Sequence, residues 1–377
     1  SDDFFFEYVS HFYGIPGIMQ SLIIDRPFNG YLLAFNYFIL GLRDNVFFWH
    51  TYIFLIRLLG GYALFFSLKK IWPDRLSTVT SISILFLIYP GFLQQTLPLG
   101  FGNWVTTLTI WVISLAFTIA SLKQRKKFKL FLFTVIAIFL QLNSFLQLEF
   151  FIGMEMFRLL IVTLTLENKI SINSIRRTFI YWSPYIISLI IFVIWRILIF
   201  KSTREVTDIN WVVQTYYSNP IWILKIPLEI AYSFVQTVIF AYFLPIIINL
   251  IRIPIQYSII STILGLSSVL LLSAFFSKTP EKGSYANLGR QLLVIGIVSA
   301  ISALIPIIIS GRTVRMFNVL DRYTITSIIS VGFIIVGFLL FKLSNYMRKT
   351  ILILFVASSI TSNLMNGYWH KIMWDKQ

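Results

Sequence analysis

The chain has 377 residues, of which 57% are hydrophobic and only 12% charged. Soluble domains carry about 25% charged residues, so the composition excludes a water-soluble domain and fits a surface facing hydrocarbon. The net charge is +16, but there are no cysteines and only three histidines. Disulfides, thiolate chemistry and Cys-ligated metals are therefore excluded, and the wide spacing of His11, His50 and His370 argues against a His-based metal site. Lys and Arg fall in short clusters between apolar runs, such as Lys123 to Lys127. That pattern marks cytoplasmic loops and not a nucleic-acid surface.

In chain order, the sequence opens on Ser1-Asp2-Asp3 with no Met and no basic-then-apolar leader. It closes on Trp374-Asp375-Lys376-Gln377. Both ends read as breaks in a longer chain, with at least one spanning helix expected upstream. Residues 1–45 hold five of the fifteen acidic residues, Asp2, Asp3, Glu7, Asp25 and Asp44, and read as an extracytoplasmic loop. Within it, Asp25-Arg26-Pro27 opens a helix over 27–42. Phe28, Tyr31, Leu32, Phe35, Phe38, Ile39 and Leu42 recur at helical spacing, with Asn29 and Asn36 opposite. This segment is too short to cross a bilayer and is expected to lie in the interface, its asparagines toward water.

A spanning helix needs about 20 mostly apolar residues. The runs 46–68, 76–97, 103–122, 129–148, 178–200, 229–250, 257–276, 289–310, 324–342 and 349–366 qualify. The expected fold is an all-α transmembrane bundle of about ten spans, forming one domain over 1–377. Loops 69–75, 123–129 and 342–349 are basic and are assigned to the cytoplasmic side. Alternation through the middle depends on whether 150–166 crosses, which the sequence leaves open.

Three sets of charges carry chemistry. Asp2, Asp3 and Glu7 could supply a general base for an acceptor hydroxyl or hold a divalent cation on a phosphate; the plainer reading is a solvated acidic loop. Glu149, Glu155 and Arg158 sit among apolar residues, where charge is costly unless paired or wet. Glu155 and Arg158 are at i,i+3 and can neutralise each other. Glu149 lacks a local partner. The third set is Arg312, Arg315, Asp321, Arg322 and Tyr323. In an extracytoplasmic loop, that many arginines need an anionic ligand; in a cytoplasmic loop they need none. Trp195-Arg196 reads as a span end with a snorkelling Arg.

These sets, in this order, resemble the integral membrane glycosyltransferases of the GT-C fold. The similarity is to an uncharacterised bacterial branch. It rests on Asp2-Asp3, Asp25-Arg26-Pro27-Phe28, Tyr89-Pro90-Gly91-Phe92 with Gln94-Gln95, the run from Glu149 to Arg158, Trp195-Arg196, and Asp321-Arg322-Tyr323. The family's first span, which should precede Asp2, is missing. The resemblance implies transfer of a sugar from a polyprenyl-phosphate carrier to a glycan, lipid or protein acceptor, on the extracytoplasmic face of the bacterial plasma membrane. It implies catalytic carboxylates at Asp2, Asp3 and Glu149. Glu7, Asp25, Arg26, Glu155, Arg158, Arg312, Arg315, Asp321, Arg322 and Tyr323 would bind substrate. Members of this fold differ in needing a divalent cation, so Mg or Mn stays open.

Two other classes compete. A transporter or flippase for a lipid-linked glycan would place charges near the bilayer midplane and often shows paired repeats. An O-antigen polymerase or ligase would have large outer loops. Neither the repeats nor such loops are visible.

Overall fold

The structure is a computed structural model describing residues 2–23, 26–42, 45–200, 214, 217–218, 221–277 and 285–376; for residues 2–4, 271–272, 275–277 and 345 it describes the backbone alone. The described residues form helices and no strands. Where there is no water to bond, a helix satisfies its own backbone.

Residues 1–45, expected as a loop with one helix, carry two helical segments. The first is α1, Asp2–Ile23, broken at Gly14, whose φ of 59° precedes Pro16. The second is α2, Pro27–Ala34, continued by a π-helical turn Phe35–Ile39. Asn29 and Asn36 are buried, whereas Tyr31, Phe35 and Ile39 are exposed. The expected orientation is thus reversed. Periodicity identifies a polar face but not whether water or protein covers it.

Then follow α3 (Val46–Ile71), α4 (Leu76–Ile88), α5 (Pro98–Leu122) and α6 (Lys127–Gln147). Asn45 caps α3 by accepting from the Phe48 N–H at 3.2 Å. Helix α4 stops at Ile88, short of the expected 97, because Tyr89 precedes Pro90 and takes an extended ψ of 123°. Helices α3 and α5 run parallel, with Tyr52 bonded to Thr106 at 3.2 Å and Thr109 to the Ile56 carbonyl at 3.1 Å. Their C-terminal loops, 69–75 and 123–129, therefore share one end.

A 3-10 turn, Glu149–Met154, leads into α7 (Glu155–Glu167). Gly153 lets this turn touch the next-but-several helix α13 (Ala286–Ile309): a Cβ there would lie 2.4 Å from the Ser302 carbonyl oxygen. At its far end Asn168 adopts φ 55° and stops the helix, and its carbonyl accepts from Gln291 at 3.4 Å. The segment 149–168 therefore runs antiparallel to α13 and returns the chain to the basic end. Helix α7 alone has 13 residues, about 20 Å, and its side chains are mostly inside the protein.

The remaining elements are α8 (Ile172–Trp182), α9 (Ile186–Ile194) with the π-turn Trp195–Ile199, α10 (Ile221–Val235), α11 (Ala241–Arg252), α12 (Ile255–Ser277), α14 (Ile328–Lys342) and α15 (Asn345–Asp375). Helices α13 and α14 pack tightly because Gly289 and Gly337 face each other; a Cβ on either would sit about 3.0 Å or less from the other's carbonyl oxygen. At the basic end, Arg75 and Arg348 both lie over the Tyr285 ring, at 5.2 and 4.2 Å. Loop 342–349 thus joins 69–75 there.

Among the described residues, eight segments are long and apolar enough to cross a membrane: Val46–Ile71, Pro98–Leu122, Lys127–Gln147, Ile172–Ile199, Ile221–Arg252, Ala286–Ile309, Val319–Lys342 and Tyr346–Asp375. Leu76–Ile88 and Ile255–Leu270 are apolar but shorter.

Candidate functional site

At the end opposite the basic loops, three arginines from two distant stretches gather on one aromatic cluster. Trp104 of α5 stacks on Phe150 at 6.3 Å, and the Tyr323 ring meets Trp104 at 5.6 Å and Phe150 at 5.0 Å. The Arg26 guanidinium lies 5.7 Å from the Phe150 ring centre, and Arg312 lies 5.4 Å from it on the same ring. Arg322 lies 5.3 Å from Tyr323, 5.6 Å from Trp104 and 5.7 Å from Phe101. Aromatic faces carry negative charge density and hold guanidinium groups flat without neutralising them.

The local folding explains the placement. Helix α6 ends at Gln147, so Glu149 and Phe150 project from a short turn. Arg26 sits at the N-cap of α2. Arg312 follows Gly311, a left-handed residue (φ 74°) after α13. Asp321, Arg322 and Tyr323 lie on the 3-10 segment Val319–Ser327 leading into α14.

Glu149 does have a partner, 123 residues away in sequence: Arg26 donates from Nη2 to Oε1 at 3.0 Å and from Nε to Oε2 at 3.4 Å. The side chains are 14% and 27% exposed. Burial alone would push the Glu149 carboxyl up, but Arg26, with help from Arg196, brings it down to about 2. Arg196, near the end of its candidate span, shares a small cleft with Arg26, Glu149 and Trp195. Trp195 meets Phe28 of α2 edge-on at 5.5 Å, which ties the two segments together.

Asp321 is fully buried. Its Oδ2 accepts from Gln94 at 3.3 Å, while Oδ1 has no partner among the described residues. The neighbouring Gln95 belongs to a second network. It accepts from Arg57 and donates to Asn363 at 2.6 Å. Arg57 also reaches the Phe86 and Tyr89 carbonyls, and Asn363 reaches the Ile88 carbonyl at 2.8 Å. These bonds satisfy the backbone freed where α4 ends, as irregular chain within a membrane protein requires. They also fix the segment that carries Gln94 to Asp321.

Glu155 and Arg158 do not join the arginine cluster. They form a buried pair at 3.0 Å whose remaining groups are taken by Trp111, Ser114 and Thr118. The Arg158 guanidinium lies between the Trp111 and Tyr185 rings. The pair joins α5 to α7 and leaves nothing for a ligand. Arg315 is exposed and bonds only Thr313. Glu7 is half-buried on α1 and makes no ion pair among the described residues. Asp2 and Asp3 form the first turn of α1, but their side chains lie outside the described residues, as does Asp25.

Sequence reasoning missed Phe101, Trp104, Phe150 and Arg196 as site residues. In a chain with 17% aromatics, nothing distinguishes site rings from lipid-facing ones. The fold defines an integral membrane protein. No known protein family, curated protein or solved structure matches the chain.

Proposed function

We propose that this protein is a membrane glycosyltransferase of the GT-C type, moving a sugar from a polyprenyl-phosphate carrier to a glycan, lipid or protein acceptor on the extracytoplasmic side. The observation that carries the reading is the state of Arg312 and Arg322. Both guanidiniums are held on the Phe150–Tyr323–Trp104 cluster, and neither forms an ion pair with a carboxylate among the described residues. Arg312 Nη1 and Arg322 Nε are buried and unpartnered there. Charge in such a place is costly unless an anion completes it, and a lipid phosphate is the anion a membrane supplies.

In the proposed reaction, the acceptor oxygen bonds to the sugar's anomeric carbon as a base takes its proton. The bond from that carbon to the phosphate oxygen breaks, and the lipid phosphate leaves with the electron pair. Arg312 and Arg322 stabilise its growing charge. Glu149, locked by Arg26, has too little proton affinity for the base, and the resemblance gives that role to Asp2 or Asp3. Among the described residues no three His or carboxylate side chains are placed to hold a metal, and no step is routed through one.

A second reading is a transporter for the same lipid-linked sugar, since buried Arg312 and Arg322 would hold its phosphate with or without chemistry. Proteoliposomes carrying a radiolabelled polyprenyl-phosphoryl hexose and a membrane-glycan acceptor separate the two. Discharge of the hexose from its lipid supports the enzyme. Movement of intact lipid-linked hexose between leaflets supports the transporter.

A further inference from the structure

A second cavity, of about 600 Å³, opens between the start of α3 and the end of α15, floored by Thr96, Leu97 and Pro98. Its lining includes none of Arg26, Arg312 and Arg322. Its size is that of a small-molecule site. His50 projects from α3, and His370 and Lys371 project from α15. None of these three side chains has a hydrogen bond or ion pair among the described residues. An imidazole keeps at least one N–H donor in every protonation state, and the ammonium carries three. No acidic side chain lines the space, so the donors face it without a counter-charge. The cavity also lies at the N-terminal end of α5, which begins at Pro98 and adds a positive helix dipole to the floor.

Trp369 and Trp374 supply two flat apolar walls. Arg252 lies over the Trp369 ring at 5.2 Å and places a further cation beside it. Tryptophan and lysine at a helix end are commonly an interfacial belt, facing headgroups singly. Here they instead converge, with two imidazoles and a hydroxyl, on one concave space. Lys371 also stands at the end opposite the basic loops, where a cation is least expected from topology alone.

We propose that this cavity binds a phosphate ester, with the phosphate held by Lys371, His370 and His50 and the body of the ligand against Trp369 and Trp374. The site does not depend on sugar transfer at the arginine cluster. The phosphate could belong to a soluble sugar phosphate or to a lipid headgroup, and the experiment separates these sources.

The full chain is placed in phosphatidylcholine nanodiscs, and binding of radiolabelled glucose 6-phosphate is measured at equilibrium, with glucose and inorganic phosphate as competitors. Parallel nanodiscs contain phosphatidic acid. The expected result is saturable binding of one phosphate ester, competed by inorganic phosphate but not glucose. Lys371→Gln and His370→Gln should each weaken it at least 10-fold, and Arg312→Ala should leave it unchanged. Direct binding of glucose 6-phosphate identifies a soluble ligand; retention of phosphatidic acid on the purified protein, lost in Lys371→Gln, identifies a headgroup. Lys371 and His370 line an open cavity, and size-exclusion profiles check that the variants fold. No saturable binding of either probe would overturn the proposal. So would binding that Arg312→Ala abolishes and Lys371→Gln spares.

Discussion

Arg26 and Glu149 meet in a two-point ion pair, 3.0 Å at its shorter contact, across 123 residues of chain. The pair joins the start of α2 to the turn after α6, and that turn also presents Phe150 to Arg26 and Arg312. It therefore positions the cluster as well as neutralising itself. In a double-mutant cycle with Arg26→Gln and Glu149→Gln, the coupling is expected to be about 1.5–3 kcal/mol, the range for hydrogen bonds to charged groups. Thermal unfolding in nanodiscs measures it; additive losses would show that the pair contributes no more than its separate parts.

The same pair should give an acid-dependent stability. The Glu149 carboxyl is brought from an ordinary 4.5 to about 2 in the folded protein. A depressed folded value means that the contribution is complete above the unfolded value and is lost as pH falls through the folded one. The gap in melting temperature between wild type and Glu149→Gln should be constant from pH 7 to 5, then shrink between about 4.5 and 2. A gap that shrinks instead between pH 8 and 6 would point to a different titrating group.

The two arginine environments predict opposite phenotypes. Arg158→Ala strips a fully buried carboxylate of its partner and should destabilise the protein by about 3–5 kcal/mol. Arg312→Ala removes no ion partner among the described residues, so it should lower stability little while weakening binding of polyprenyl phosphate about 10-fold or more. Unfolding curves and lipid-binding isotherms on the two variants check this together.

Gly153→Val should act on the site from behind. A side chain at 153 would strike the Ser302 carbonyl and Ala303, pushing the Glu149–Phe150 turn away from α13. Overpacking of this kind costs about 1–3 kcal/mol, and more where only backbone can move. Loss of lipid binding alongside the stability loss is expected, and a variant of wild-type stability would show that the turn has room to shift.

How far the sequence reveals this molecule depends on the range of each signal. Apolar runs locate the helices because hydropathy is a local property. The same measure runs α4 on to residue 97, since Phe92, Leu93 and Leu97 keep the stretch apolar after Tyr89-Pro90 has ended the helix. Glu155 and Arg158 are readable as a pair because they lie on one helical turn. Glu149 looks solitary because its partner lies on another element. Asn29 and Asn36 define a face that protein covers. The aromatic faces under Arg312 and Arg322 come from α5, the Glu149 turn and the Val319–Ser327 segment, and only the fold brings them together.

The most direct test compares wild type with Arg322→Ala and Asp3→Asn in discharging a radiolabelled polyprenyl-phosphoryl hexose, using the full-length protein in proteoliposomes with a membrane-glycan acceptor. The account expects wild-type discharge. Asp3→Asn should retain lipid binding but turn over about 10²–10⁴ more slowly if Asp3 is the base, and Arg322→Ala should lose both binding and turnover. Normal discharge by Arg322→Ala, or wild-type protein that binds the lipid-linked hexose without ever discharging it, would contradict the account.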